Sequence, residues 1–285
     1  MNKRLAHLKP VLEKLYKRYN KPELIKPDPL QFVYRYKRKA DMEVAGFLAS
    51  ALAYGRVGQI EKSLEKVFAI TGDSPAEFIR DFDKNKRSKF ADFRHRFTSG
   101  EDIADILELL KQVLWKYGSI ENFFIQGYDS GDENIISALS KFCGTLTSMY
   151  AESHNGIVSR GVKYLLVSPE EKSACKRLNL FLRWMVRKDN VDAGIWESVS
   201  ASKLIVPVDV HMGRLCRILG FYDDKTVSLK AAVKITQGFL QIEPQDPVKY
   251  DFALSRVGII ENCSGKYRLE CEVCDLSGVC KSFVL

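Results

Sequence analysis

Apolar residues recur along this chain at intervals of three and four far more often than in alternation, and that periodicity predicts helices nearly throughout. Leu5, Leu8, Leu12, Leu15 and Tyr19 mark a first helix over residues 4–19, followed by a linker punctuated by Pro22, Pro27 and Pro29. The run 41–55 is rich in small residues, which suits close helix packing; it breaks near Gly55 and resumes through Ile60, Leu64 and Val67. Residues 71–100 are polar and basic with scattered phenylalanines and read as a solvated loop. Helices are expected again over 101–116, 119–128 and 134–150, with a turn-rich acidic loop from Gly127 to Glu133. With almost no strict alternation, an all-α fold is expected.

Two stretches of the second half stand out. Pro169 breaks the chain, and Ser173 is a suitable cap for a helix running to Arg187. Five cations and no acids lie between Lys172 and Arg187. Lys176, Arg183 and Arg187 are spaced to share one face, opposite an apolar face of Leu178, Phe181, Leu182 and Met185. The second stretch is the apolar run from Leu204 to Val208, where Asp209 stands directly before a helix with Val210, Leu215, Ile218 and Leu219 on its apolar side and Gly220 as its stop. Asp209 is expected to be the N-cap, accepting hydrogen bonds from free backbone N–H groups at the positive end of the helix dipole. A further helix fits 226–241, and Asp246-Pro247 has the form of a cap and first turn opening a helix through Gly258.

The 285 residues suffice for one large or two modest domains, and 46% hydrophobic residues allow a sizeable core. No apolar run approaches the roughly 20 residues of a membrane span, and the N-terminal decapeptide lacks the apolar core of a signal peptide. A soluble, cytoplasmic monomer is the expectation. A net charge of +8 and a pI near 9.0 suit a polyanionic partner. Seven cysteines without an export signal argue for reduced thiols or metal ligation. Cys143, Cys175 and Cys216 fall in helical patterns and read as packing residues. Cys263, Cys271, Cys274 and Cys280 form a C-x7-C-x2-C-x5-C array, whose thiolates can close around an iron–sulfur cluster or a zinc ion, or remain unmetallated.

The segment Pro207-Val208-Asp209-Val210-His211-Met212, followed by an arginine-bearing helix, resembles the catalytic segment of the helix-hairpin-helix (HhH-GPD) DNA glycosylases, which include endonuclease III, the 8-oxoguanine glycosylases and the archaeal GO glycosylase. The aspartate at that place is the family's essential carboxylate. Lys176, 33 residues upstream at a helix start, lies where the family carries its catalytic lysine, and the long spacing is more similar to the archaeal GO glycosylase. The family's hairpin, "LPGVGxKTA", is altered: Lys172 and Ala174 stand at its two glycine positions. The run ending at Tyr54, Gly55 and Arg56 resembles a glycosylase helix that ends at the base pocket. The cysteine tail resembles the C-x6-C-x2-C-x5-C of endonuclease III-like enzymes, which holds a [4Fe–4S] cluster, with one extra residue. Across nearly its whole length the chain also resembles a bacterial family of unassigned function with "KRLNxFLRWMVR" and "PxDxH" segments.

The resemblance implies excision of a damaged or modified base from double-stranded DNA, with AP-lyase activity. Lys176 would attack the sugar and Asp209 would stabilise its positive charge. Arg177, Arg183, Arg187, His211 and Arg214 would bind DNA. Apart from the resemblance, Arg94, His95 and Arg96 could touch a DNA backbone, although a solvated loop is the favoured reading of that stretch. Tyr54, Trp184 and Met212 would line the base pocket. A central helical barrel over 41–204, with a helix-hairpin-helix-like segment at 168–187, would face a second lobe built from 1–40 and 205–285. Two other classes remain open: a nucleic-acid-binding protein without catalysis, and a metal-stabilised helical adaptor.

Overall fold

The computed structural model describes residues 3–224, 226–260 and 263–280. In α1 (Lys3–Tyr19), Leu8, Leu12, Leu15 and Tyr19 form the buried stripe that their spacing predicts; the side chain of Leu5 lies outside the described residues. α2 (Lys39–Ala51) and α3 (Val57–Thr71) divide the small-residue run around Gly55. Residues 71–100 differ from the loop expected there. They carry α4 (Pro75–Arg80), α5 (Lys84–Ser88) and an antiparallel hairpin of β1 (Arg94–His95) and β2 (Thr98–Ser99). The Asp83 side chain caps α5, and Ser99 with Asp102 forms a capping box at the start of α6 (Gly100–Tyr117). Next come α7 (Ile120–Phe124), α8 (Ile136–Ser153) and α9 (Arg160–Leu165), then α10 (Lys176–Val186), α11 (Val210–Ile218), α12 (Leu229–Leu240) and α13 (Asp251–Ile260). The molecule is mostly helical, and no described helix is long and apolar enough to cross a membrane.

Several boundaries move: α7 ends at Phe124 rather than residue 128, α12 starts at Leu229 rather than residue 226, and two further shifts have a visible cause. α10 starts at Lys176, because Ser173 Oγ accepts from the Cys175 N–H in a tight turn rather than capping a helix. α13 starts at Asp251 instead of behind Asp246-Pro247; the Asp246 carboxylate is engaged by Arg187 Nε at 2.7 Å.

The core is centred where α2 crosses α10. A Cβ at Gly46 would lie 2.7 Å from Met185 Cε, so the bare glycine lets the Met185 thioether lie close against α2. Around it Phe181 meets Phe47 and Trp196 edge-on, each with ring centroids 5.4 Å apart. Such ring pairs add about 0.5–1.5 kcal/mol each beyond their buried area. The turn Pro29–Arg35 packs on α2. α1 and α11 both pack against α13.

The largest departure from expectation concerns charge. Arg183 and Arg187 lie in the interior, 2% and 4% exposed. Arg183 Nε donates to Asp192 Oδ1 at 3.2 Å and Nη1 to Asp251. Arg187 bonds Asp192 at 3.0 Å, Asp246 at 2.7 Å and also Asp189. The basic face of α10 is thus an internal ionic network joining α10 to the start of α13. Burial pushes Asp192 up to about 6, against the pull of both arginines, and raises Asp246 and Asp251. At Asp189 burial is outweighed by Arg187 and by the backbone N–H groups it accepts, and its value is lowered.

A proton held more tightly in the folded chain than in the unfolded one favours folding at low pH. For Asp192 that contribution is complete below the ordinary 3.8 and gone above about 6. Stability due to Asp192 should therefore fall as pH rises through that window, while Asp189 contributes stability that is lost as pH falls. Urea unfolding at several pH values should show the decline in the wild type and a flatter curve in Asp192→Asn. Identical curves would assign the pH dependence to other groups.

Candidate functional site

Lys176 opens α10 from a constrained turn. Lys172 and Cys175, just ahead of it, both adopt the left-handed conformation, with φ of +58° and +46°. For residues with a side chain this costs about 1–2 kcal/mol each, and such strain gathers at functional sites. The turn is held by Lys172 N–H on Pro169 O at 2.8 Å, by Leu229 N–H on Lys172 O at 3.0 Å, and by the Cys175 thiol on Val167 O at 3.2 Å. Lys172, at one of the two positions where the hairpin pattern has glycine, keeps a conformation that glycine favours; Ala174 at the other does not.

Asp209 is the N-cap of α11. Its Oδ1 accepts from the backbone N–H groups of His211 and Met212, both at 2.9 Å. Its Oδ2 lies 3.8 Å from Lys176 Nζ. The same Nζ donates to the Ala53 carbonyl at 3.2 Å, just past the end of α2. Arg177 donates to Ala51 O at 2.8 Å and, through its other arm, to Tyr164 O. Three helix ends therefore meet at this point, the C-terminus of α2 and the N-termini of α10 and α11. Cations at the first and the carboxylate at the last match the sign of each dipole. The side chains of Lys176 and Asp209 are 30% and 41% exposed, so both can be reached from solvent.

One wall of the site is aromatic. The half-buried Tyr54 donates to His95 O at 2.8 Å and lies 2.7 Å from Thr98 Oγ1, which ties it to the β1–β2 hairpin. Its ring meets Tyr164 edge-on at 5.3 Å, and the Arg177 guanidinium lies over both rings, at 5.2 and 4.6 Å. His95 is fully buried, with Nδ1 2.8 Å from Ser63 Oγ and Nε2 3.1 Å from Tyr54 O, and burial lowers its pKa. Arg96 lies across Gly55, where a Cβ would stand 2.7 Å from Arg96 Cδ, and Gly55 itself holds a φ of +100°.

Several sequence-based assignments are corrected by this geometry. Arg183 and Arg187 are interior and cannot meet DNA phosphates. Arg214 is half-buried, with Nη1 on Cys263 O at 3.1 Å, so it serves the cysteine loop. Arg177 is held by two carbonyls and two rings. His95 is buried, whereas Arg94 and Arg96 beside it are exposed. Of the five residues first assigned to DNA, His211 alone stays exposed. In the base pocket set Tyr54 borders the site, but Trp184 and Met212 are 0% and 3% exposed and belong to the core. Sequence reasoning missed Tyr164 and the carbonyls of Ala51 and Ala53. Tyr164 carries no local signal; the carbonyls follow from α2 ending where it does.

The four tail cysteines line one pocket together with Leu215, Ile218 and Leu276. Backbone N–H groups of Arg268 and Leu276 donate to Cys271 Sγ and Cys274 Sγ, each at 3.4 Å. Among the described residues no three His, Cys, Asp or Glu side chains converge closely enough to hold a single ion. Cys143, Cys175 and Cys216 are buried, and burial pushes Cys175 up to about 11 and the other two higher still.

No curated protein and no solved structure matches the chain significantly. A family model described as "Protein of unknown function (DUF2400)" matches residues 28–260, which include the Lys176–Asp209 pair and stop short of Cys263. The match spans most of the chain, which therefore belongs to the DUF2400 family.

Proposed function

We propose that this protein is a DNA glycosylase with AP-lyase activity, acting on double-stranded DNA that carries a modified base. Its main support is one distance: Lys176 Nζ lies 3.8 Å from Asp209 Oδ2, although the two residues open different helices. An amine beside a carboxylate suits covalent cleavage of an N-glycosidic bond. Lys176 Nζ attacks C1′ of the deoxyribose; the N–C1′ bond forms as the bond to the base breaks, and the base leaves with a proton. Ring opening gives the imine, from which β-elimination breaks the 3′ C–O bond. Asp209 stabilises the positive charge that develops on the sugar. The base must leave the helix stack to be reached, and Tyr54 is the wall it would meet. Lys176 must release the Ala53 carbonyl before it can attack.

That carbonyl bond also favours a second reading, in which Lys176 and Arg177 only cap α2 and the protein binds nucleic acid without chemistry. Borohydride trapping across duplexes that each carry one modified base or an abasic site separates the two: a covalent adduct supports the enzyme, and its absence from every duplex leaves the binding protein.

The tail is read as a [4Fe–4S] site held by Cys263, Cys271, Cys274 and Cys280, which would fix the loop against α11; zinc is the alternative. Anaerobically purified protein should be brown, with broad absorption near about 400 nm as iron–sulfur centres show. Colourless protein with one tightly bound zinc would replace the cluster by zinc.

A further inference from the structure

Outside the Lys176–Asp209 site, the β1–β2 hairpin combines a rigid base with an exposed aromatic tip. Its base is fixed by buried His95 and by the two contacts of the Tyr54 hydroxyl. Its tip is Arg96-Phe97, with Arg96 at a φ of +53°. Phe97 is 72% exposed; one edge meets Tyr164 at 6.1 Å, and the Arg96 guanidinium lies 5.3 Å from its ring centroid. Tyr164 in turn lies under Arg177, next in sequence to Lys176, so the tip continues the aromatic wall of the site outward.

The surroundings are cationic. Arg94 is exposed on β1, and Arg160 and Lys163 are exposed on α9, the helix that carries Tyr164. None of the three has a carboxylate partner among the described residues. Of the flanking acids, Glu101 is paired with Arg87, Asp102 lies against Gly161 and accepts from Ser99, and Asp92 is exposed. A single exposed ring needs no explanation on its own. A ring on a braced turn, with exposed cations on its own hairpin and on the helix its edge touches, fits a partner with both flat faces and negative charge.

We propose that Phe97 stacks on an unpaired nucleobase of a DNA strand lying along the hairpin, while Arg94, Arg96, Arg160 and Lys163 neutralise its phosphates. The favoured substrate then has an unpaired base beside the site, as at an abasic position or bulge, rather than a fully paired helix. Because the tip is already ordered, stacking costs it little conformational entropy. The inference rests on the proposed function only in taking DNA as the partner.

The probe is a duplex with a tetrahydrofuran abasic analogue opposite 2-aminopurine, read by anisotropy and by 2-aminopurine fluorescence. The wild type should bind it more tightly than the fully paired duplex and quench the fluorophore. Phe97→Ala should weaken that binding about tenfold and abolish the quench, as alanine substitution of base-stacking residues does. Phe97→Trp should retain both, and Arg96→Ala should lower the salt slope by about one unit. Wild-type behaviour of Phe97→Ala, equal affinity for paired and unpaired duplexes, or no binding at all would each overturn the inference. None of these readouts needs Lys176 chemistry. Stacking without any borohydride adduct keeps the inference and removes the glycosylase; an adduct that forms with no Phe97 effect does the reverse.

Discussion

Lys176→Gln should abolish borohydride trapping on any duplex that the wild type attacks, because no amine remains to form the imine. Binding to an abasic duplex should largely persist, since one cation among several is lost. Gln is one bond shorter than Lys, and because the site is open to solvent, water can take over the Ala53 carbonyl that Lys176 Nζ holds at 3.2 Å. Asp209→Asn tests the other partner. The amide oxygen can keep both capping bonds to His211 and Met212, so the helix start should survive. Base release should nevertheless fall by about 10²–10³, the usual loss when one transition-state charge contact is removed. If Asp209 is a cap and nothing else, Asn should be nearly silent, and Asp209→Ala should cost about 1 kcal/mol of stability. Full activity in Asp209→Asn, or trapping by Lys176→Gln, removes that residue from the chemistry. The solvent-exposed ion pair itself adds little to stability, on the order of 0–1 kcal/mol. Loss of activity in a stably folded variant would thus report on chemistry.

Arg183→Met should act in the opposite sense, on the fold and not on the reaction. It leaves Asp192 and Asp251 buried without their shared counter-charge. Breaking such a pair costs about 3–5 kcal/mol, a large part of the roughly 5–15 kcal/mol that a domain has. Urea unfolding should show the midpoint falling steeply, or the variant should fail to accumulate. Arg183→Lys should recover part of the loss, because an ammonium supplies the charge but not the forked geometry that reaches two carboxylates. The salt dependence of DNA binding in Arg183→Lys should match the wild type. Near-native stability of Arg183→Met together with a reduced salt slope would return Arg183 to the surface.

The helices were legible because their signals are local. The stripe of α1, the break around Gly55 and the Asp209 cap each lie within a few residues of the element they define. The juxtaposition of Lys176 and Asp209 was legible only through resemblance, since nothing within either helix points to the other. The interior arginines were misread for a physical reason: five cations and no acids in one segment look solvent-facing when only that segment is in view. Two of their partners, Asp246 and Asp251, stand about 60 residues later in the chain, and the choice between solvent and ion pair is made by tertiary packing. The hairpin escaped because two-residue strands are too short to alternate. At Asp246-Pro247 the capping signal was genuine, but the carboxylate had a stronger partner in Arg187.

The packing of α1 joins distant parts of the chain. Its buried stripe is covered by α13, and its far end by the turn Ser277–Val279; Lys14 pairs with Asp275 at 2.8 Å. The contacts reach far along the sequence: Lys249 pairs with Glu13 across 236 residues and Arg18 with Asp275 across 257. Closure over so long a loop is entropically slow. Until it closes, Leu8, Leu12 and Leu15 stay uncovered, an exposure that favours aggregation during refolding. The region around α2 and α10 can consolidate without waiting for that closure.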